Sequence, residues 1–102
     1  MEFLKSDPQD PFVIYALATE YNSLKDSEKA FYYYNILLNE HPDYVGTYYH
    51  LGKLYEKTDD LSKAVMVYQK GMEVARKKRD NHALSELQAA YNSAMGLDYE
   101  DD

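Results

Sequence analysis

The sequence predicts an all-α protein, a stack of helical hairpins closed by one further helix. Three observations carry that reading. Sliding the 102-residue chain by 34 positions sets Tyr15 on Tyr49, Leu17 on Leu51, Tyr21 on Tyr55, Asp26 on Asp60, Lys29 on Lys63, Ala30 on Ala64 and Tyr34 on Tyr68. Within each copy these residues fall at helical spacing, Leu17 with Tyr21 and Ala30 with Tyr34, so each pair shares a face. Helix punctuation repeats too: Asp26 and Asp60 stand where a second helix would start, and Pro8 and Pro42 keep the same offset.

Taken in order, residues 1–10 read as a remnant of a preceding hairpin. Phe3 lies 34 before Leu37 and Leu4 lies 34 before Leu38, so this segment is expected either to cover the open end of the stack or to be a frayed terminus. Asp10-Pro11 is a helix start, with Asp as N-cap and Pro at the first helical position. A first helix is expected over 11–23 and a second, capped by Asp26-Ser27, over 27–40. His41-Pro42-Asp43 breaks the second helix, because proline cannot continue a helix interior. Asp43 is expected to cap a third helix over 44–57. Ala18 and Gly52 put a small residue beside each repeated leucine, where two helices can approach closely.

Thr58-Asp59-Asp60 makes the next turn. The fourth helix, 61–78, carries Ala64, Val65, Tyr68, Met72 and Ala75 at helical spacing. Arg79-Asp80-Asn81 is a turn with Asp80 or Asn81 as cap, and a fifth helix follows over 82–95. There Leu84, Leu87 and Tyr91 repeat Tyr48, Leu51 and Tyr55 at an interval of 36, so the register gains two residues. Its outer residues Asn81, Glu86, Asn92 and Ser93 are polar, as in a helix that caps a stack. Gly96 suits a C-terminal cap. The organisation expected is one domain over 1–102: a remnant (1–10), two repeats (11–44 and 45–78), a capping helix (81–95) and an acidic tail (96–102).

These residues resemble the tetratricopeptide (TPR) pattern, W-x2-L-G-x2-Y, then A-x3-F, then P, at a period of 34. The first copy matches with Ile14, Leu17, Ala18, Tyr21, Ala30, Tyr34 and Pro42. The second matches with Tyr48, Leu51, Gly52, Tyr55, Ala64 and Tyr68. Tryptophan is absent, Tyr stands for Phe, and Arg76 stands where a third Pro would fall. The fourth helix is therefore expected to run past the usual stop. The resemblance implies a TPR-like α–α superhelix and a protein-interaction role.

Composition narrows the function. A formal net charge of −7 argues against nucleic acid and anionic lipid as partners. No cysteine is present, which removes disulfides and thiol chemistry and fits a reducing compartment. The start, Met1 to Pro8, has neither the basic residues nor the apolar run of a signal peptide. No stretch is long enough to span a bilayer. A cytoplasmic protein without membrane contact is expected. Twelve tyrosines suit both a thin core and a binding surface, because the ring packs while the hydroxyl stays wet.

By the resemblance, the first helix of each repeat lines a concave groove. The inward positions would be Phe12, Tyr15, Ala16, Thr19, Asn22 and Ser23, then Gly46, Tyr49, His50, Lys53, Glu56 and Lys57, then His82, Ser85, Glu86 and Ala89. The partner-binding set is taken as Tyr15, Thr19, Asn22, Tyr49, His50, Lys53, Glu56, His82 and Glu86. Tyr15 and Tyr49 either anchor a bound segment or pack against the neighbouring first helix. A TPR subclass clamps a C-terminal carboxylate with Lys, Asn and Arg. The matching places here are Tyr15, Thr19, His50, His82 and Glu86, none of the right type, and Glu86 would repel a carboxylate.

Three histidines, His41, His50 and His82, lack metal-ligand spacing, and no metal or cofactor is expected. Arg76-Lys77-Lys78-Arg79 complements a helix C-terminus. In Phe31-Tyr32-Tyr33-Tyr34, Tyr34 is core by the repeat and Tyr32 and Tyr33 must point partly elsewhere. With Phe3 and Phe12, Phe31, Tyr32 and Tyr33 make a candidate self-association surface. No phosphate loop, Cys nucleophile or paired Ser and His supports catalysis, so no enzyme is expected. The function expected is binding a peptide or helix of a partner protein in a groove. The alternative is a homodimeric scaffold subunit.

Overall fold

The structure, a computed structural model, describes residues 10–96. The expected N-terminal remnant, with Phe3 and Leu4, and the tail beyond Gly96 lie outside those residues. The described residues form five helices: α1 (Pro11–Ser23), α2 (Ser27–Glu40), α3 (Gly46–Lys57), α4 (Leu61–Lys78) and α5 (Asn81–Met95).

Four aspartates start four of these helices. The Asp10 carboxylate accepts from Phe12 N–H at 2.8 Å, with Pro11 at the first helical position. Asp26, Asp60 and Asp80 accept from Lys29, Lys63 and Ala83 N–H at 3.2, 3.3 and 3.1 Å. Each satisfies a donor that a helix N-terminus leaves unpaired. The same three aspartates also end the helix before. Their own N–H groups donate back to Tyr21, Tyr55 and Ala75 carbonyls at 2.9, 2.8 and 2.9 Å. The preceding residues, Lys25, Asp59 and Arg79, are left-handed, with φ of 64°, 64° and 57°. This is a Schellman ending in which the residue after the left-handed one is already the next N-cap. It explains why the hairpin turns are so short.

The connection from α2 to α3 differs and corrects one expectation. The helix starts at Gly46 rather than at 44, so Asp43 stands three residues before it and not next to its first residue. Residues 41–44 close a separate turn, Tyr44 N–H donating to the His41 carbonyl at 3.0 Å. The Tyr44 ring packs on Tyr15, centroids 5.6 Å apart. Residue 44 is thereby engaged in a tertiary contact that a cap-and-helix reading overlooks.

The chain packs as two compact units divided between Thr47 and Tyr48. In the first, α1 and α2 bury Val13, Ile14, Leu17, Ala18, Ala30, Tyr34 and Leu37. In the second, Tyr48, Leu51 and Leu54 of α3 are buried with Ala64, Tyr68, Met72 and Ala75 of α4 and Leu87 and Ala90 of α5. Two glycines set the close approaches there. A Cβ on Gly52 would come within 2.7 Å of the Tyr68 ring. One on Gly71 would lie 2.9 Å from Tyr48 Cγ and 3.1 Å from Leu87 Cδ1. The α4 helix runs on to Lys78, as the missing proline at Arg76 predicts. Its last turn carries Arg76, Lys77 and Lys78 at the partially negative helix end.

Candidate functional site

The second unit gathers most of the expected binding residues. Tyr49, His50, Lys53 and Glu56 lie within two turns of α3, and His82 and Glu86 stand one turn apart on α5. The cores of α3 and α5 are occupied by Leu51, Leu54, Leu87 and Ala90, so these other positions keep their side chains partly or largely open. The His50 ring meets Tyr49 edge-on, centroids 5.5 Å apart at 87°. The Lys53 ammonium lies 5.5 Å from the Tyr49 ring centroid, within cation–π range. It also lies 4.0 Å from Glu56 Oε2, which accepts a hydrogen bond from the Tyr68 hydroxyl. On α5, His82 Nε2 lies 3.8 Å from Glu86 Oε2.

Burial lowers the pKa of His50 below its usual value, and the charge of Glu86 opposes that shift. His50 is therefore presented as a neutral aromatic. Burial raises the Tyr68 pKa strongly, and the hydrogen bond and charge of Glu56 push it further. The carboxylate thus accepts from a hydroxyl that keeps its proton.

In the first unit Tyr15 and Thr19 are used locally. The half-buried Tyr15 ring rests against Tyr44 and beside Gly46, where an added Cβ would be 3.7 Å away. The Thr19 hydroxyl donates to the Ala16 carbonyl of its own helix at 3.0 Å. Asn22 stands 34 before Glu56, yet the Tyr34 hydroxyl, the counterpart of that of Tyr68, is buried without a hydrogen-bond partner among the described residues.

Of the residues read as a self-association surface, Phe12 and Tyr32 are 62% exposed. Phe31 and Tyr33 are half-buried. Tyr33 stacks on Tyr21 at 5.7 Å, and Tyr32 meets Tyr33 edge-on at 5.0 Å. Phe3 lies outside the described residues.

Sequence reasoning missed three features. The Tyr68–Glu56 bond leaves no mark, since Tyr34 and Asn22 share its separation without forming it. The Tyr15–Tyr44 contact is equally silent. The third did leave a signal. Lys29 sits over the Tyr21 ring at 5.2 Å and Lys63 over Tyr55 at 5.8 Å, and both members of this pair recur at the repeat interval.

Among the described residues no three His, Cys, Asp or Glu side chains gather as metal ligands, and no helix is long and apolar enough to cross a membrane.

Hairpins joined by shared caps, with a repeat of thirty-four residues, define a helical-repeat protein. Two family models, each describing a tetratricopeptide repeat, match residues 13–44 and 45–78. A solution NMR structure of a tetratricopeptide repeat domain protein from Salinibacter ruber is 46% identical and superposes with a TM-score of 0.85, covering 94% of this chain and 97% of its own. A crystal structure of a tetratricopeptide repeat domain protein from the same organism is 47% identical, with a TM-score of 0.82 over 87% of this chain and 99% of its own. No curated protein matches the sequence. The chain belongs to the tetratricopeptide repeat family. Such repeats are generally protein–protein interaction modules and are typically non-catalytic.

Proposed function

We propose that this protein binds a peptide or helix of a partner protein, and that the second unit supplies the binding face. Tyr49, His50 and Lys53 of α3 form it with His82 and Glu86 of α5. The observation that carries the reading is the Tyr49–His50–Lys53 cluster. It sets an aromatic pair and a cation on one helix, none of them among the fully buried residues, and aromatic anchors of this kind dominate binding energy. Glu56 supports the cluster from beneath. Tyr15 and Thr19 are engaged within the first unit and contribute less. The absence of cysteine supports a cytoplasmic setting. Replacing Tyr49 and Lys53 together by Ala should leave helicity by circular dichroism nearly unchanged and abolish capture of the partner from a native extract. An unchanged captured set would move the binding surface elsewhere.

A second reading rests on the exposure of Phe12 and Tyr32 in the first unit. Large apolar side chains left in water favour burial against another copy. Light scattering at tens of micromolar should then give a dimer mass that falls to the monomer value in Phe12→Ser/Tyr32→Ser. A monomer mass for the unaltered chain rules this reading out.

A further inference from the structure

The two repeats are not equally equipped at the level of the α-helical face they offer, and the difference starts in the core. In the second unit the missing side chain at Gly52 leaves room for the Tyr68 ring, which comes from α4 and lies against α3. The ring is fully buried, and its hydroxyl reaches Glu56 on α3. The oxygen that accepts that hydrogen bond, Oε2, is the one that faces the Lys53 ammonium at 4.0 Å. Lys53 in turn lies over the ring of Tyr49, one helical turn back.

A lysine at an exposed helix position ordinarily samples many rotamers, and ordering it costs side-chain entropy. An exposed Lys–Glu pair alone does little to hold it. Here the carboxylate is itself fixed by a donor that cannot move, because the Tyr68 ring is enclosed by the core. We propose that Tyr68 is a positioning residue for the α3 face: acting through Glu56, it fixes the Lys53 ammonium over the Tyr49 ring and makes this cation–aromatic pair the preset recognition element of the protein. The proposal rests on the binding role assigned above to that face.

The first unit shows what happens without the relay. Ala18 stands for Gly52, Asn22 for Glu56 and Thr19 for Lys53. The Tyr34 hydroxyl is left without a partner among the described residues, the Thr19 hydroxyl turns back to its own helix, and Tyr15 rests on Tyr44. Position 19, a threonine, offers no ammonium to that tyrosine. Recognition therefore concentrates on α3 rather than being shared between the repeats.

Nuclear magnetic resonance on the unbound protein tests this, independently of whether the capture experiment succeeds. A methylene held over a ring face is shielded, so the Lys53 ε-methylene protons should resonate upfield of those of exposed lysines. The shift should persist in Tyr34→Phe, which removes the partnerless counterpart hydroxyl. It should vanish in Tyr68→Phe and in Glu56→Gln, while the Leu51 and Leu54 methyl shifts, which report core packing, stay in place. Glu56→Gln keeps an acceptor for Tyr68 but removes the charge that holds Lys53. An upfield shift retained in either variant, or absent from the unaltered protein, overturns the proposal. Should Tyr68→Phe fail to fold, the cross-peak between the Tyr68 ring and the Glu56 γ-methylene in the unaltered protein decides the Tyr68 step, and its absence overturns it.

Discussion

Each residue that recurs at the repeat interval has a local role in the structure, and the roles differ in kind. Leu17 and Leu51, Ala30 and Ala64, and Tyr34 and Tyr68 are buried. Asp26 and Asp60 are N-caps. Tyr21 with Lys29 and Tyr55 with Lys63 are cation–π pairs that link the start of each second helix to the first. Only Tyr15 and Tyr49 part ways, the one resting on Tyr44 and the other carrying Lys53. The matched tyrosines 34 and 68 give a sharp comparison. Tyr68→Phe removes a hydrogen bond to a carboxylate and should cost about 1.5 kcal/mol, the low end for a charged acceptor, because Glu56 is partly open to water. Tyr34→Phe removes a buried hydroxyl without a partner, relieves its desolvation, and should be neutral or stabilising within about 1 kcal/mol. Urea denaturation of the two variants checks the sign of each, and equal losses would show that the two hydroxyls are alike.

At the scale of elements, the turns and the glycines decide how the helices meet. A single aspartate ends one helix through its N–H and starts the next through its side chain at Asp26, Asp60 and Asp80. The left-handed residue before it is non-glycine each time, a conformation that costs about 1–2 kcal/mol for an L-residue. The chain accepts this cost where capping and helix pairing hold the turn. Gly71 shows packing overriding propensity. Alanine at a helix interior normally gains about 1 kcal/mol over glycine. At position 71, however, the new methyl would overlap Tyr48 at its Cβ, which is fixed to the α3 backbone and cannot swing aside. Overpacking of this kind costs about 1–3 kcal/mol. Gly71→Ala should therefore destabilise by up to about 2 kcal/mol net. A rise in the thermal midpoint would show that α3 and α4 are not in close contact there.

For the molecule as a whole, the tyrosines give stability a pH dependence at the alkaline end. Burial raises the pKa of Tyr34, with the charge of Tyr15 adding to it, and burial with Glu56 raises that of Tyr68. Tyr44 shifts the same way, through burial and then the charge of Asp10. The folded values lie above the unfolded value of about 10. Their stabilisation is therefore complete below about pH 10 and is lost as pH rises from there toward the folded values, because the unfolded chain then releases protons that the folded chain retains. Tyr34 and Tyr68 should ionise only with unfolding, and in Tyr34→Phe/Tyr68→Phe the alkaline dependence should flatten. Tyrosinate absorbance followed beside circular dichroism measures both, and ionisation of all twelve before any helix is lost would contradict the burial of these two.

The sequence by itself determined the all-α class, the helices and the turns at 24–26, 58–60 and 79–80, because these depend on near neighbours. Helical spacing, Asp caps and a proline break act within a few residues, and a 34-residue repeat shows the same solution twice. It also fixed the overrun of α4, since Arg76 lacks the backbone constraint that proline imposes. Tertiary structure decided where α3 starts, for Tyr44 is engaged by Tyr15 rather than by the helix that Asp43 was expected to cap. It decided which repeated tyrosine hydroxyl finds a partner. Tyr34 with Asn22 and Tyr68 with Glu56 share one spacing, and the longer, charged side chain of Glu56 together with the contact of Tyr68 across α4 and α3 separates them. Local rules place a side chain on a helix face; only packing in three dimensions determines what that side chain meets.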